Sequence, residues 1–284
     1  MNIEEILGNQ NKQEYDKEAY AQKKFEERMN LNKMIDDMVD KIKLNPDDFK
    51  KYLDVQVQFP NYSVSNALLV TAQFPEATQL KSYDSWRNAR AYVNKKPTYV
   101  NIFEYGDTYT RKDGTVAPSY NVKKMIDVSQ TSLKQVRKVF QNYDDKNLLK
   151  AFLTNSSANI QVVDNLEDLV KYNRSENMLY ISRTSPDTKQ LFNTLSKELA
   201  KMMFEPSQDY RIDELKADCV SYMICKRYNI DVADYQFNND GLTNLDTKDI
   251  KTELNSIKSA YQDMESSMQI SLDSISKNSK AYER

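Results

Sequence analysis

Toward the C-terminus apolar residues fall at Ile250, Leu254, Ile257, Tyr261, Met264, Met268, Leu272 and Ile275, at alternating spacings of four and three. A stripe with a 3.5-residue period, sustained over more than three heptads, predicts one long helix with a coiled-coil seam. Asp246 is placed to cap its start, and Asp249 lies in its first turn. So long a seam does not stay in water on a lone helix, so something must cover it. The protein's own body is the expected cover. The alternatives are the charged N-terminal helix and a second chain, the last giving self-association or capture of a protein partner.

Residues 11–45 form another helix candidate, free of Gly and Pro and highly charged, with Phe25, Met29, Met34, Ile35, Met38, Val39 and Ile42 crowding its second half. Asn45-Pro46 stops it. Helical stretches follow at 47–59, 63–73 and 82–92. The period then switches: Tyr99 to Phe103 and Ser119 to Val128 read as strands about a Lys112-Asp113-Gly114 turn. Further on, a helix at 145–154 leads to strands at 159–163 and 178–182, and helices begin near Pro186 and Asp213. The fold class is therefore α+β, with four regions: a charged helix at 1–46, a domain at 47–142, a second domain at 143–240 and a helical extension at 241–284.

Charge separates these regions. The 284-residue chain has a net charge of only −2, yet residues 51–142 carry 13 Lys and Arg against 7 Asp and Glu. That basic region holds the single tryptophan, Trp86, and many tyrosines. Rings interleaved with cations suit single-stranded nucleic acid, because bases stack on the rings while cations follow the phosphates. Arg87, Arg90, Lys95, Lys96, Lys123 and Lys124 are the candidate phosphate contacts; Tyr62, Trp86 and Tyr92 are the candidate stacking residues. Core packing is the competing use of at least half of these aromatics. No apolar run approaches a membrane span and the charged start lacks a signal-peptide core, so a cytoplasmic protein without a membrane partner is expected. Cys219 and Cys225, six apart on one predicted helix, read as reduced structural thiols.

The segment Lys197-Glu198-Leu199-Ala200-Lys201 has the spacing of an H-E-x-x-H zinc-peptidase helix, in which two imidazoles one turn apart hold the metal and the Glu acts as general base. This chain contains no histidine at all. Lysine is a cation at neutral pH and repels a metal ion. The same five residues are also ordinary charge pairing on a solvated helix face. Neither metal nor cofactor is expected.

Tyr62-Ser63-x-x-Asn66-x-Leu68-Leu69-x-x-x-Gln73-x-Pro75-x-Ala77-Thr78, then Ser82-Tyr83-x-x-Trp86, Val93-x-Lys95 and Asp127-Val128-Ser129-Gln130-Thr131 together resemble the N-terminal domain of ArdC-type antirestriction proteins, in their LtrC-like variety from Gram-positive conjugative elements. The resemblance extends over roughly residues 50–260. It implies a single-stranded-DNA-binding domain, with Asn66 among its contacts, followed by a metallopeptidase-like domain. Carried over by position, Lys197 and Lys201 occupy the two His sites and Glu198 that of the general base. Glu214 takes the third-ligand position, with Asp213 and Asp218 as competing alignments. Lys95-Lys96-Pro97 departs from the Gly-containing turn usual in the family.

Without imidazoles there is no Lewis acid to activate water, so hydrolysis is not expected. Lys197 either pairs with Glu214 across the old metal cleft or is simply exposed. The expected function is that of a DNA-associated accessory protein of a mobile element, binding single-stranded or locally opened DNA without sequence readout. The peptidase-like domain then serves as scaffold or partner surface. An interaction module that has lost DNA binding is the alternative, and a residual hydrolase with a metal on Glu198, Glu214 and Asp218 the weakest.

Overall fold

A computed structural model describes residues 3–133, 143–154, 156–164, 166–184 and 187–282. The chain forms two compact units, one from Met1–Met38 with Leu68–Gln135, the other from Val39–Ala67 with Val136–Arg284. The architecture is α+β, as expected. The long α1 (Ile3–Leu44) and α3 (Val64–Gln73) each contribute to both units.

In the first unit three antiparallel strands lie in the order β1 (Leu80–Lys81), β3 (Val116–Asp127), β2 (Val100–Thr110). The short α4 (Tyr83–Asn88) is capped by Ser82, whose Oγ accepts the Ser85 N–H. Its Trp86 is fully buried with Ala91, Ile126 and Val128, and its indole N–H donates to the Ile126 carbonyl at 2.8 Å. α4 stops well short of Tyr92 because Arg90 adopts a left-handed conformation (φ 56°). The Ala91 N–H then reaches back to the Trp86 carbonyl, a Schellman-type ending.

The motif residues of this unit mostly satisfy backbone. Buried Asp127 accepts the N–H groups of Thr78 and Gln79 on one oxygen and that of Ser129 on the other. The Gln73 amide bonds both the N–H and the carbonyl of Asn101, and Gln130 does the same for Thr98. Each side chain thereby occupies backbone groups that would otherwise have to be hydrated. The turn after β2 places Gly114 at φ 82°, where a side chain would be strained.

In the second unit β4 (Asn159–Val163) runs parallel to β6 (Met178–Ser182), and β5 (Val170–Asn173) lies antiparallel on the other side of β6. Strand β5 has no counterpart among the expected elements. Helices α6 (Thr188–Met202) and α7 (Tyr210–Arg227) start at the Asp187 and Asp209 caps, whose side chains accept the Lys189 and Arg211 N–H groups. They pack against each other, and α5 (Asp145–Thr154) flanks α6.

Two boundaries expected from the sequence shift. Residues 47–67, assigned to the basic domain, group with the second unit instead. There α2 (Pro46–Gln58) offers Asp54 to both the Tyr222 hydroxyl (2.5 Å) and the Lys226 ammonium of α7. The C-terminal α8 (Thr247–Tyr282) is likewise not a separate extension but packs on α7 and α5. Of its seam, Ile250, Leu254, Ile257, Tyr261, Met264, Met268 and Leu272 are buried, so the unit itself covers the stripe that a partner chain would need. Arg227 of α7 pairs with Glu265 at 3.0 Å beside that seam. Among the described residues no helix is long and apolar enough to cross a membrane.

Asp246 accepts the Asp249 N–H at 2.8 Å at the start of α8. Asp246→Ala is expected to lower the unfolding free energy by about 1 kcal/mol. Urea denaturation should show a lower midpoint at unchanged slope.

Candidate functional site

The facing surfaces of α6 and α7 carry an alternating chain of charges. Lys197 and Lys201 lie one turn apart on α6, so both point toward α7. The Lys197 ammonium donates to Asp218 at 2.7 Å and to Glu214 at 3.0 Å. Lys201 donates to the other oxygen of Glu214 and to Glu198, each at 2.9 Å. The chain ends on β5, where the Tyr172 N–H donates to the second Glu198 oxygen at 2.8 Å. Of the two arrangements open from sequence, the bridge between helices is the one observed. Asp218 holds Lys197 as closely as Glu214 does, whereas Asp213 turns away to accept the Ser207 N–H.

Burial and pairing oppose each other here, and pairing wins at three of the four shifted groups. Burial disfavours the Lys197 ammonium, but Asp218 and Glu214 hold its pKa above the ordinary lysine value. Lys201 is raised in the same way, with Glu214 and Glu198 outweighing burial. Burial pushes the Glu214 carboxyl up, yet the two lysines hold it below the usual glutamate value. Asp218 is the exception, raised chiefly by burial with Lys197 pulling the other way.

Three carboxylates converge in this cleft, but the two positions that would have to face a metal with imidazoles present protonated ammonium groups bonded to those same carboxylates. Lysine coordinates a metal only after losing its proton, and its neighbours here make that loss harder. The residues present do not fit a metal centre. Among the described residues no group of His, Cys, Asp and Glu side chains is arranged to hold one.

Behind the charges, the α6–α7 contact is fixed by a buried polar cluster. Ser196 and Ser221 hydroxyls meet at 2.6 Å, the Tyr235 hydroxyl lies 2.5 Å from Ser221, and both serine oxygens lie within reach of the Asn193 carbonyl, at 3.1 and 3.0 Å, which accepts from whichever of them is not donating to the other. The nearby Cys225 thiol is pushed up to about 11 by burial. Cys219 and Cys225 are both free and buried, so neither is a reactive thiolate.

The residues expected at a nucleic-acid face separate into three groups. Trp86 is corrected outright: a fully buried ring with its N–H bonded to backbone is core and cannot stack on a base. Tyr62 and Asn66 lie in the other unit, Tyr62 half-buried and stacked on Phe59 at 5.1 Å between ring centroids. The remainder gather in the first unit. Arg87, Arg90, Lys95 and Lys96 are exposed on α4 and the loop after it, and Tyr92 is 82% exposed. Lys123 is paired with Glu104, while Lys124 lies 5.6 Å over the Tyr99 ring. Sequence reasoning did not single out Tyr99, Tyr105 and Tyr120, which are exposed on or beside β2 and β3. The even spacing of Tyr99, Phe103 and Tyr105, four residues and then two, at and just before one strand was the available signal.

A small α+β unit rich in exposed cations and a second unit whose α6–α7 pair carries the lysine–carboxylate chain are the two parts of an ArdC-like fold. The chain is similar to the solved antirestriction protein ArdC from plasmid R388. In the Mn(II)-bound structure the TM-score is 0.56 at 14% identity, covering 84% of this chain and 97% of ArdC. In the metal-free structure it is 0.54 at 14% identity, covering 73% and 85%. An uncharacterized Bacillus anthracis protein, pXO2-81, is 24% identical across 78% of this chain and 47% of its own length. The chain thus spans about half the length of that curated relative. No family model matches it.

Proposed function

We propose that this protein is a non-enzymatic accessory protein of a mobile element, of antirestriction type, that binds single-stranded DNA without reading its sequence. In this reading its peptidase-like unit is a scaffold or partner surface and the protein works in the cytoplasm. The carrying observation is the run of exposed cations Arg87, Arg90, Lys95 and Lys96, which form no ion pair with any described residue, beside the open ring of Tyr92. Exposed cations without carboxylate partners are available to phosphates, and an ArdC-like fold around them supports the same reading. The lysine-filled cleft supports the non-enzymatic part, because no group there can deliver an activated water.

The test is a titration of single- and double-stranded oligonucleotides at two salt concentrations. Affinity for the single strand should fall steeply with salt. Lys95→Ala with Lys96→Ala should weaken binding about tenfold and reduce the logarithmic salt slope by about 1.4, two phosphate contacts' worth. An unchanged slope would place the DNA face elsewhere. Absence of any oligonucleotide binding at low salt would overturn the reading and leave an interaction module.

A further inference from the structure

We propose that the outer face of the β2–β3 hairpin is the platform on which unpaired bases stack, an assignment that rests on the single-strand reading above. In an antiparallel pair alternate residues share a face. The observed register places Asn101 opposite Lys124, Phe103 opposite Val122 and Tyr105 opposite Tyr120, all on one side. The other side carries Val100 and Ile102, which are buried, and Met125, so it is the side turned to the core. On the first side Asn101, Phe103 and Val122 are half-buried, and Lys124 and the tyrosines are exposed: Tyr105 75%, Tyr120 43% and Tyr99, two residues before Asn101, 41%.

Three of the rings on this side, Phe103, Tyr120 and Tyr105, form a ladder, and Tyr99 stands apart from them beyond Asn101. Tyr105 and Tyr120 centroids are 5.2 Å apart, and Phe103 meets Tyr120 edge-on at 6.3 Å. Lys124 over Tyr99 adds a cation at the loop end. The ladder stops after Tyr105 because the strand bulges there: Tyr105 faces Tyr120 but Thr108 faces Pro118, leaving Gly106 and Asp107 opposite Ser119. A Cβ on Gly106 would lie 2.5 Å from the Ser119 hydroxyl oxygen and 2.6 Å from the Asn121 amide nitrogen, so a side chain there would require both of these side chains to swing aside. The effect of the bulge is to turn Tyr109 to the opposite side, facing Ala117.

Charge complementarity selects the occupant. The loop carrying Lys95 and Lys96 runs directly into Tyr99, so phosphate-binding cations lead onto the side that bears the rings. Glu104 does not oppose this, because it alternates to the other side and is paired with Lys123. From Tyr99 to Tyr105 the strand advances about 20 Å, room for a few nucleotides. Exposed rings on a sheet reach bases that are unstacked and splayed, not those inside a duplex, so single strands are favoured.

The experiment compares a thymidine oligonucleotide with an abasic one of the same phosphate number. The parent protein should bind the thymidine oligonucleotide more tightly. Tyr105→Ala should weaken that binding roughly fivefold or more, leave abasic binding unchanged and leave the salt slope intact. Tyr99→Ala provides an independent variant, expected to behave in the same way. If both variants bind thymidine oligonucleotides as the parent does, the platform is wrong while the DNA reading stands. If the parent binds no oligonucleotide, both fall together.

Discussion

Lys201→Met is expected to destabilise the protein by about 2–3 kcal/mol at neutral pH, the loss that follows when one partner of a largely buried ion pair is removed. The lower figure reflects Lys201 itself, whose side chain is 30% exposed, while Glu198 on the other side is only 10% exposed. Methionine preserves the stem, so the loss isolates the charge. Among the described residues, Glu198 would keep the Tyr172 N–H alone and Glu214 Lys197 alone. In thermal denaturation the midpoint should fall by roughly 5–10 °C for a unit of this size. Adding Glu198→Gln to the variant should recover much of the loss, because the stranded charge is gone. A variant within about 0.5 kcal/mol of the parent would mean that the network is solvated and idle.

The pH dependence of that gap has a definite form. Lys201 has a folded-state pKa above its ordinary value of 10.5, so its contribution is fully present below that value and is lost as pH rises through the folded one. Glu214 has a folded-state pKa below its ordinary 4.5, so its contribution is present above that value and is lost as pH falls through the folded one. The parent–variant difference should therefore be flat from mildly acidic to mildly alkaline pH and narrow at both ends. Asp218, raised mainly by burial, acts in the opposite sense on the acid side, since its protonation relieves a buried charge.

The charge network was readable in part from the sequence because helical spacing alone places Lys197 and Lys201 on one face. What spacing could not supply was the partner at the far end. The Tyr172 N–H comes from β5, four residues of mixed character with neither alternation nor an apolar run to announce a strand. Helix α5 and strands β4 and β6 were legible to their ends because turn residues and charges bracket short apolar runs. The proposed nucleic-acid face was harder for a different reason. Aromatic content marks a stacking surface and a small core equally well, and only burial separates Trp86 from Tyr105. Tyr62 and Asn66 group with the second unit, as does the preceding helix α2, whose Asp54 meets Tyr222 of α7 168 residues away in sequence, a contact that no local pattern encodes. The seam of α8 shows the converse: its period predicted the burial of nearly every position, yet could not say which surface would cover it.

Lys197→His combined with Lys201→His is expected to create a transition-metal site between α6 and α7. Glu214 already touches both lysines through different oxygens, at 3.0 and 2.9 Å, so it stands on α7 between the two positions that would carry imidazoles. Two imidazoles one helical turn apart and a carboxylate from a second helix are the three-ligand set that zinc accepts with an open fourth position. Removing two ammonium groups also frees Glu198, Glu214 and Asp218 from their ion pairs, leaving a cleft with excess negative charge that metal binding would neutralise. Affinity for Zn²⁺ should rise about a hundredfold or more over the parent, and the melting temperature should increase with added Zn²⁺ in the double variant alone. Elemental analysis after dialysis should then find one zinc per chain. Asp218→Asn in that background should leave a smaller effect than Glu214→Gln, because Glu214 reaches both α6 positions and Asp218 only that of Lys197. If neither affinity nor melting temperature responds to zinc, the helix pair lacks the imidazole-orienting hydrogen bonds that a metal site requires, and two imidazoles beside Glu214 are not sufficient for one.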